Sequence, residues 1–180
     1  MASYLDSIVI TETESEVTLR ELCESISFCV FLRHWGCAEC SLLLHRLEPR
    51  LKELLNLDIR IIFIGLGSPE GIASFRKKNR FTRQDITIVT DPSLKIQDAL
   101  GLERGASTVQ GPKALVNRAK LSIQGFSNQL GDGDPLQQGG AVLLSATGQE
   151  LWVHKNAHFG DILDPNQLMV TALKAVAQTL

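Results

Sequence analysis

The chain has 180 residues, 44% of them hydrophobic and 21% charged, with a formal net charge of −2 at pH 7. That length fits one domain, or one domain with an added element, and is enough to bury a sizeable core. The near-neutral charge gives no electrostatic footprint for nucleic acid, and no apolar run reaches the ~18 residues that a membrane span needs. The first residues, Met1-Ala2-Ser3-Tyr4-Leu5-Asp6, lack the basic start and apolar core of a secretory signal, so a cytoplasmic location is expected. Four cysteines are too few for a disulfide scaffold; in a reducing compartment a closely spaced pair is expected to be catalytic or metal-binding.

In chain order, residues 1–25 read as an N-terminal extension, mixed and rather acidic, with a short strand at 8–10 and a helical turn at 19–24. Residues 26–33 are apolar and partly β-branched or aromatic, as in a buried strand. Cys37-Ala38-Glu39-Cys40 follows. Residues 38–55 read as a helix with Leu42, Leu43, Leu47, Leu51, Leu54 and Leu55 on one broad face, and Pro49 inside it is expected to kink it. Residues 59–65 form a second buried strand, after which Ser68 as N-cap and Pro69 at the first position open a helix. Residues 86–90 are a third strand; Asp91-Pro92 then caps a short helix that runs to Leu100 and ends at Gly101. Residues 103–139 read as an insert, with a helix at 113–121 and then a loop rich in Gly, Asp and Gln. Residues 141–145 and 150–154, joined by a Thr147-Gly148 turn, make a β-hairpin, and 166–180 is a closing amphipathic helix with Pro165 near its start. This order predicts a single α/β domain over 1–180. Its central sheet is mixed, because a tight hairpin must be antiparallel, and helices cover both faces.

Cys37 and Cys40 stand three residues apart where a strand ends and a helix begins, the sequence form of a thioredoxin-type redox centre. Residues i and i+3 share a face of a helical turn, so the two sulfurs can meet and close a disulfide. The helix N-terminus also offers unpaired N–H groups and partial positive charge, which favour a thiolate. A thiol with pKa near ~8.5 is about 3% ionised at pH 7; lowering the pKa to roughly 7 ionises about half, a difference of ~2 kcal/mol. Arg33 and His34, just upstream, are the cations at hand. Cys37, nearer the exposed helix start, is the expected nucleophile and Cys40 the resolving thiol. The alternatives are two half-buried core cysteines, or a structural zinc site. Zinc needs four ligands, and no second CxxC is present; the one HxxxH spacing, His154 and His158, spans a strand and a loop.

Several other residues carry weaker signals. Cys29 alternates within an apolar strand and reads as core, and Cys23 as a passive thiol. Trp35 either forms the lip of the site or packs on the first helix. His45 reads as a surface or packing residue, while His154 and His158 fall in a strand and a loop, not on one helix. Gly65-Leu66-Gly67 lacks the third glycine and following acid of a dinucleotide loop. Asp132 and Asp134 read as turn residues, and Asp161 as a cap or brace for a loop near the site. No cofactor and no metal is expected.

The chain resembles the peroxiredoxin-like (AhpC/TSA-like) branch of the thioredoxin superfamily over residues 25–162. The resemblance runs through Phe31-Leu32-Arg33-His34-Trp35-Gly36-Cys37-Ala38-Glu39-Cys40, Ile64-Gly65-Leu66-Gly67-Ser68-Pro69-Glu70 and Asp91-Pro92-Ser93-Leu94-Lys95. It resumes at Gly131-Asp132-Gly133, Gln138-Gly139-Gly140 and His158-Phe159-Gly160-Asp161. It implies a thioredoxin-like fold with an insert before the C-terminal hairpin and helix. It also implies a thiol-dependent oxidoreductase: some members are linked to peroxide defence, and a branch to reduction of prostaglandin endoperoxides. The sequence departs from true peroxiredoxins at two places. Peroxiredoxins carry a Thr three residues before the peroxidatic Cys, where it helps hold the peroxide; here Cys37 precedes Cys40 at that spacing, and His34 precedes Cys37. Peroxiredoxins also place an Arg just before the strand matching 141–144, and thioredoxins a cis-Pro. Gly139 and Gly140 stand here instead, and Pro135 is several residues too early. The glycine pair is expected to let a substrate or the active-site loop approach the backbone closely.

The expected function is a thiol–disulfide oxidoreductase or slow peroxidase that cycles Cys37 and Cys40, with Arg33, His34, Trp35, Gly139 and Gly140 in support. Its substrate would be a peroxide or a disulfide, and its electron donor the thioredoxin or glutathione system. The alternative is a redox-sensing or protein-binding module on the same scaffold without fast turnover. Neither nucleic acid nor membrane is expected as a partner.

Overall fold

The structure, a computed structural model, describes residues 3–106, 110–129 and 132–178. At its centre lies β3 (Ser27–Phe31), buried along its whole length. It pairs in parallel with β4 (Arg60–Gly65) on one side and antiparallel with β6 (Gly140–Leu144) on the other. β5 (Thr87–Thr90) continues the sheet in parallel beyond β4, and β7 (Glu150–Lys155) antiparallel beyond β6. The N-terminal extension adds an antiparallel hairpin, β1 (Ile8–Thr11) and β2 (Glu16–Thr18), with β1 against β5. The sheet is therefore mixed and seven-stranded, in the order β2-β1-β5-β4-β3-β6-β7.

Side chains alternate across β3 and so divide the interior in two. Phe28 and Val30 enter a core filled by α2 (Ala38–Asn56), α3 (Glu70–Asn79) and α6 (Pro165–Ala177). Cys29 and Phe31 enter a second core, closed by a 3-10 turn (Ser3–Asp6), α1 (Leu19–Leu22) and α4 (Lys95–Leu100). The insert contributes α5 (Pro112–Ile123), whose Ala114 and Leu121 pack with Phe159 on Ala38 and Leu42, in the first turns of α2. Among the described residues no helix is long and apolar enough to cross a membrane.

The elements form where the sequence pattern puts them, with three instructive differences. β2 was hidden in an acidic stretch too short to show an alternation. Its partner β1 makes it a strand, by the register Ile8 to Thr18, Val9 to Val17 and Ile10 to Glu16. Thr18 and Glu21 then form a capping box that ends the strand and starts α1. As the pattern expects, α2 contains Pro49, with Leu47 and Leu51 buried on either side. The N-cap of α3 is Pro69 rather than Ser68. The Ser68 amide is spent instead on the Asp132 carboxylate, and the Ser68 carbonyl accepts from the Trp35 indole at 3.0 Å. The N-cap position of α4 is Leu94, and the Asp91 carboxylate caps the helix from three residues upstream, its Oδ2 accepting from Ile96 N at 3.1 Å.

Trp35 is the largest side chain at the junction of β3 and α2, and it lies in a slot made by glycines. A Cβ at Gly65 or at Gly71 would overlap its ring. Phe75 closes the slot, with ring centroids 5.6 Å apart. Gly71→Ala is therefore expected to lower stability by about 1–3 kcal/mol through overpacking, read as a lower denaturant midpoint. Trp35→Phe in the same chain should recover part of the loss; an unchanged midpoint in the single variant would show that the indole is free to move.

Candidate active site

The chain leaves β3 at Phe31 and reaches α2 through a short loop, so Cys37 falls at the N-cap of α2, with φ −68° and ψ 127°. Its sulfur takes the place of a capping oxygen: Sγ accepts from Cys40 N at 3.4 Å. The Cys40 sulfur accepts from Arg33 N at 3.2 Å. Both thiols are free, and Cys37 is 0% exposed. This corrects the expectation of an exposed helix start, because the insert covers it. Ala38 N donates to Asn128 Oδ1 at 2.9 Å, and the Gly36 carbonyl accepts from Gln129 N at 2.9 Å and from Lys78 Nζ at 3.0 Å.

Arg33 is the organising cation and is only 3% exposed. Its Nη1 lies 3.8 Å from Cys37 Sγ and 3.3 Å from Glu39 Oε2. Its Nε donates to the Gln137 carbonyl at 2.9 Å, its Nη2 to the Pro135 carbonyl, and its plane sits 5.1 Å from the centre of the Phe159 ring. Glu39, also 3% exposed, accepts from Gly160 N at 2.6 Å through Oε1. Asp161 braces that loop by accepting from Ala157 N at 2.8 Å, as expected of it. Arg33, Glu39, Cys40, Gly139 and Asn156 line one small cavity.

Environment splits the two thiols. Burial pushes the Cys37 pKa up, but the Cys40 thiol, the Arg33 guanidinium and the amides of Cys40 and Glu39 outweigh it and bring the value down to about 6. At pH 7 that leaves about nine-tenths of Cys37 as thiolate. Burial and the neighbouring Cys37 raise Cys40 well above the ordinary thiol range. Burial, then the negative charge of Cys37, lifts the Glu39 carboxyl to about 8 against the pull of Arg33. For His34, burial and then the charges of Arg33 and Lys78 press the pKa down to about 4. His34 is therefore neutral at pH 7 and supplies no positive charge, which corrects its expected role; the second nearby cation is Lys78.

The remaining candidates sort by position. Trp35 is buried in the core that it shares with the inner face of α2, its ring against Gly65, Gly71 and Phe75. The close approach at Gly139 is by the β3 backbone, with Phe31 O 2.6 Å from a Cβ placed there, and at Gly140 by the His154 carbonyl of β7. Neighbouring strands therefore fill the side-chain space at both glycines, while Gly139 also borders the small cavity beside Arg33 and Cys40. Cys23 and Cys29 lie in the other core, with their sulfurs 3.8 Å apart, so the four cysteines do not converge on one zinc site. Asp134 forms an ion pair with Arg104, which is more than a turn residue does. His154 stacks on Trp152, and His45 faces Phe126. Gly131 lies outside the described residues. Sequence reasoning missed Glu39, Lys78, Asn128 and Gln129. Only Glu39 carried a signal: an acid between two cysteines on a helix turn that has to be buried.

Residues 44–158 match the family model described as AhpC/TSA antioxidant enzyme, a stretch that begins after the two cysteines. Peroxiredoxin-like 2C of Mus musculus is 31% identical over 137 residues, 71% of this chain and 59% of that protein, so the chain spans less than two thirds of that relative. Among solved structures, the bacterioferritin comigratory protein of Xanthomonas campestris, studied for alkyl peroxide reduction, gives a TM-score of 0.66 at 13% identity, covering 100% of this chain and 96% of its own. A thiol peroxidase from Chromobacterium violaceum gives 0.67 at 14% identity, covering 97% and 86%. At such identities the likeness establishes the thioredoxin-like fold expected from the sequence, and with the family match it follows that the chain belongs to the AhpC/TSA antioxidant enzyme family.

Proposed function

We propose that this protein is a thiol-dependent oxidoreductase in which Cys37 attacks a peroxide or disulfide and Cys40 resolves the product. One observation carries the reading. Cys37 is fully buried, yet Arg33 and the first amides of α2 converge on its sulfur and hold it as a thiolate at neutral pH. On a hydroperoxide, attack at the terminal oxygen gives a sulfenic acid and releases an alcohol. On a disulfide it gives a mixed disulfide and releases a thiol. The Cys40 thiol then attacks Cys37, displacing water from the sulfenic acid or the remaining substrate thiol from the mixed disulfide, and leaves a Cys37–Cys40 disulfide. The dithiol of a thioredoxin-type donor, or two molecules of glutathione, reduces it, which suits a reducing compartment such as the cytoplasm. The Thr and Arg of fast peroxiredoxins are absent around Cys37, and Arg33 approaches the sulfur from the strand end instead. That arrangement supports a two-thiol reductant more than a specialised peroxide trap. The second reading, a redox sensor without turnover, draws on the covering of Cys37 by the insert.

The charge on Cys37 sets the pH dependence. Its folded pKa lies below the ordinary thiol value, so the nucleophile is present above about pH 6 and lost as pH falls through it. Alkylation of Cys37 by a small reagent should show its midpoint near there. Arg33→Gln should move that midpoint up toward the ordinary ~8.5, with circular dichroism confirming the fold. A wild-type midpoint at the ordinary value would sink the activated-thiolate reading.

Turnover separates the two functions. Cys37→Ser is expected to abolish reduction of both a hydroperoxide and a protein disulfide in an assay coupled to thioredoxin and its reductase. Cys40→Ser should stop after one equivalent, with the trapped Cys37 adduct visible by mass spectrometry. If wild-type protein oxidises once and is re-reduced by neither thioredoxin nor glutathione, the sensor reading holds instead.

A further inference from the structure

One buried cation serves two acids. Arg33 Nη1 reaches both Cys37 Sγ, at 3.8 Å, and Glu39 Oε2, at 3.3 Å, while Nε and Nη2 are committed to the Gln137 and Pro135 carbonyls. Glu39 and Arg33 are each 3% exposed, so water is not at hand to stabilise a second negative charge. Beyond Arg33, the hydrogen bonds described for the Glu39 carboxylate add one partner. The 157–161 loop gives one backbone N–H, from Gly160, while Asp161 turns onto Ala157 N. From α2 come Cys37 and Cys40. From α5, Arg118 lies 5.1 Å from the centre of the Phe159 ring that Arg33 also faces. From α3, Lys78 is held at the Gly36 carbonyl, and His34 is neutral. A thiolate with a carboxylate would set two anions on one guanidinium; a thiolate with a carboxylic acid sets one.

Resting on the thiol chemistry above, we propose that Glu39 holds a proton while Cys37 is a thiolate and yields it to the leaving group when Cys37 is oxidised. Arg33 then faces a single negative charge before and after the step. With a hydroperoxide, the Cys37 thiolate forms an S–O bond to the terminal oxygen and the O–O bond breaks. The sulfur loses two electrons, and the departing alkoxide takes the Glu39 proton to leave as an alcohol. With a disulfide, one S–S bond forms, another breaks, and the departing thiolate takes the proton. Glu39, now a carboxylate, inherits Arg33 from the neutral sulfur. Cys40 then displaces hydroxide from the sulfenic acid, its own proton completing a water molecule. On re-reduction by an external dithiol, that donor's two protons return, one to Cys40 and one to Glu39. The order of titration agrees: Cys37 near 6, then Glu39 near 8, raised by burial and by the thiolate itself.

Two measurements decide this, and only one needs turnover. Infrared titration of the reduced protein should show a carboxyl group ionising near pH 8. Glu39→Gln should remove that signal, and Cys37→Ser should move it to lower pH. A signal unmoved in Cys37→Ser overturns the shared proton. If Glu39→Gln does not fold, wild type against Cys37→Ser still decides, since neither changes Glu39. In stopped-flow oxidation, Glu39→Gln should slow an alkyl hydroperoxide by about 100-fold. It should leave an aromatic disulfide, whose thiolate departs without a proton, nearly unchanged. Equal slowing of both would reduce Glu39 to a structural role. If wild-type protein reacts with neither substrate, the oxidoreductase reading fails and the proton donation with it, while the infrared titration still reports on the coupling.

Discussion

The site depends on a guanidinium held out of water. Placing Arg33 in the interior at the end of β3 carries a large desolvation cost, and only a set of partners in good geometry offsets it. Those partners come from three places in the chain: Glu39 and Cys37 from α2, the Gln137 and Pro135 carbonyls from the end of the insert, and the Phe159 ring from the loop before α6. Because each is also fixed by its own element, the distance between cation and sulfur is a property of the whole fold. The same cation adds to the lowering of Cys37, after the Cys40 thiol, and to that of His34, after burial.

How much of this was legible in the sequence follows from how local each signal is. Buried strands at 26–33 and 59–65, the leucine face of α2 and the hairpin near the C-terminus announce themselves by periodicity and turn residues. The Asp91 cap and the Gly101 stop of α4 are equally local, and both stand. β2 was invisible because only its pairing with β1 makes it a strand. The thiols could be found from their spacing, and a lowered pKa at Cys37 from its place at a helix start. The charge of His34 could not be read, since its sign of shift depends on burial and on Lys78, which is distant in the sequence. Trp35 was ambiguous for a similar reason: the glycines that make its slot, Gly65 and Gly71, belong to β4 and to α3.

The insert changes standing most between sequence and structure. Read along the chain, 103–139 interrupts a familiar order of strands and helices. In three dimensions it supplies much of the wall around the thiols. α5 rests on the first turns of α2, Asn128 and Gln129 bond to the two residues flanking Cys37, and Pro135 and Gln137 hold Arg33. An arrangement built from contacts some ninety residues apart has no signature in any short window, which is why Asn128 and Gln129 did not stand out beforehand.

The bond from Ala38 N to Asn128 has a kinetic side. A helix start usually presents its first amides to whatever anion or oxygen arrives. Here one of those amides is already engaged by a side chain tethered to the same molecule, which acts as a competitor at high effective concentration. A ligand that brings a single weak acceptor gains nothing by replacing it. One that makes several contacts at once does gain, so for the nucleophile proposed above the insert would act as a threshold on which ligands reach the sulfur before any bond is broken.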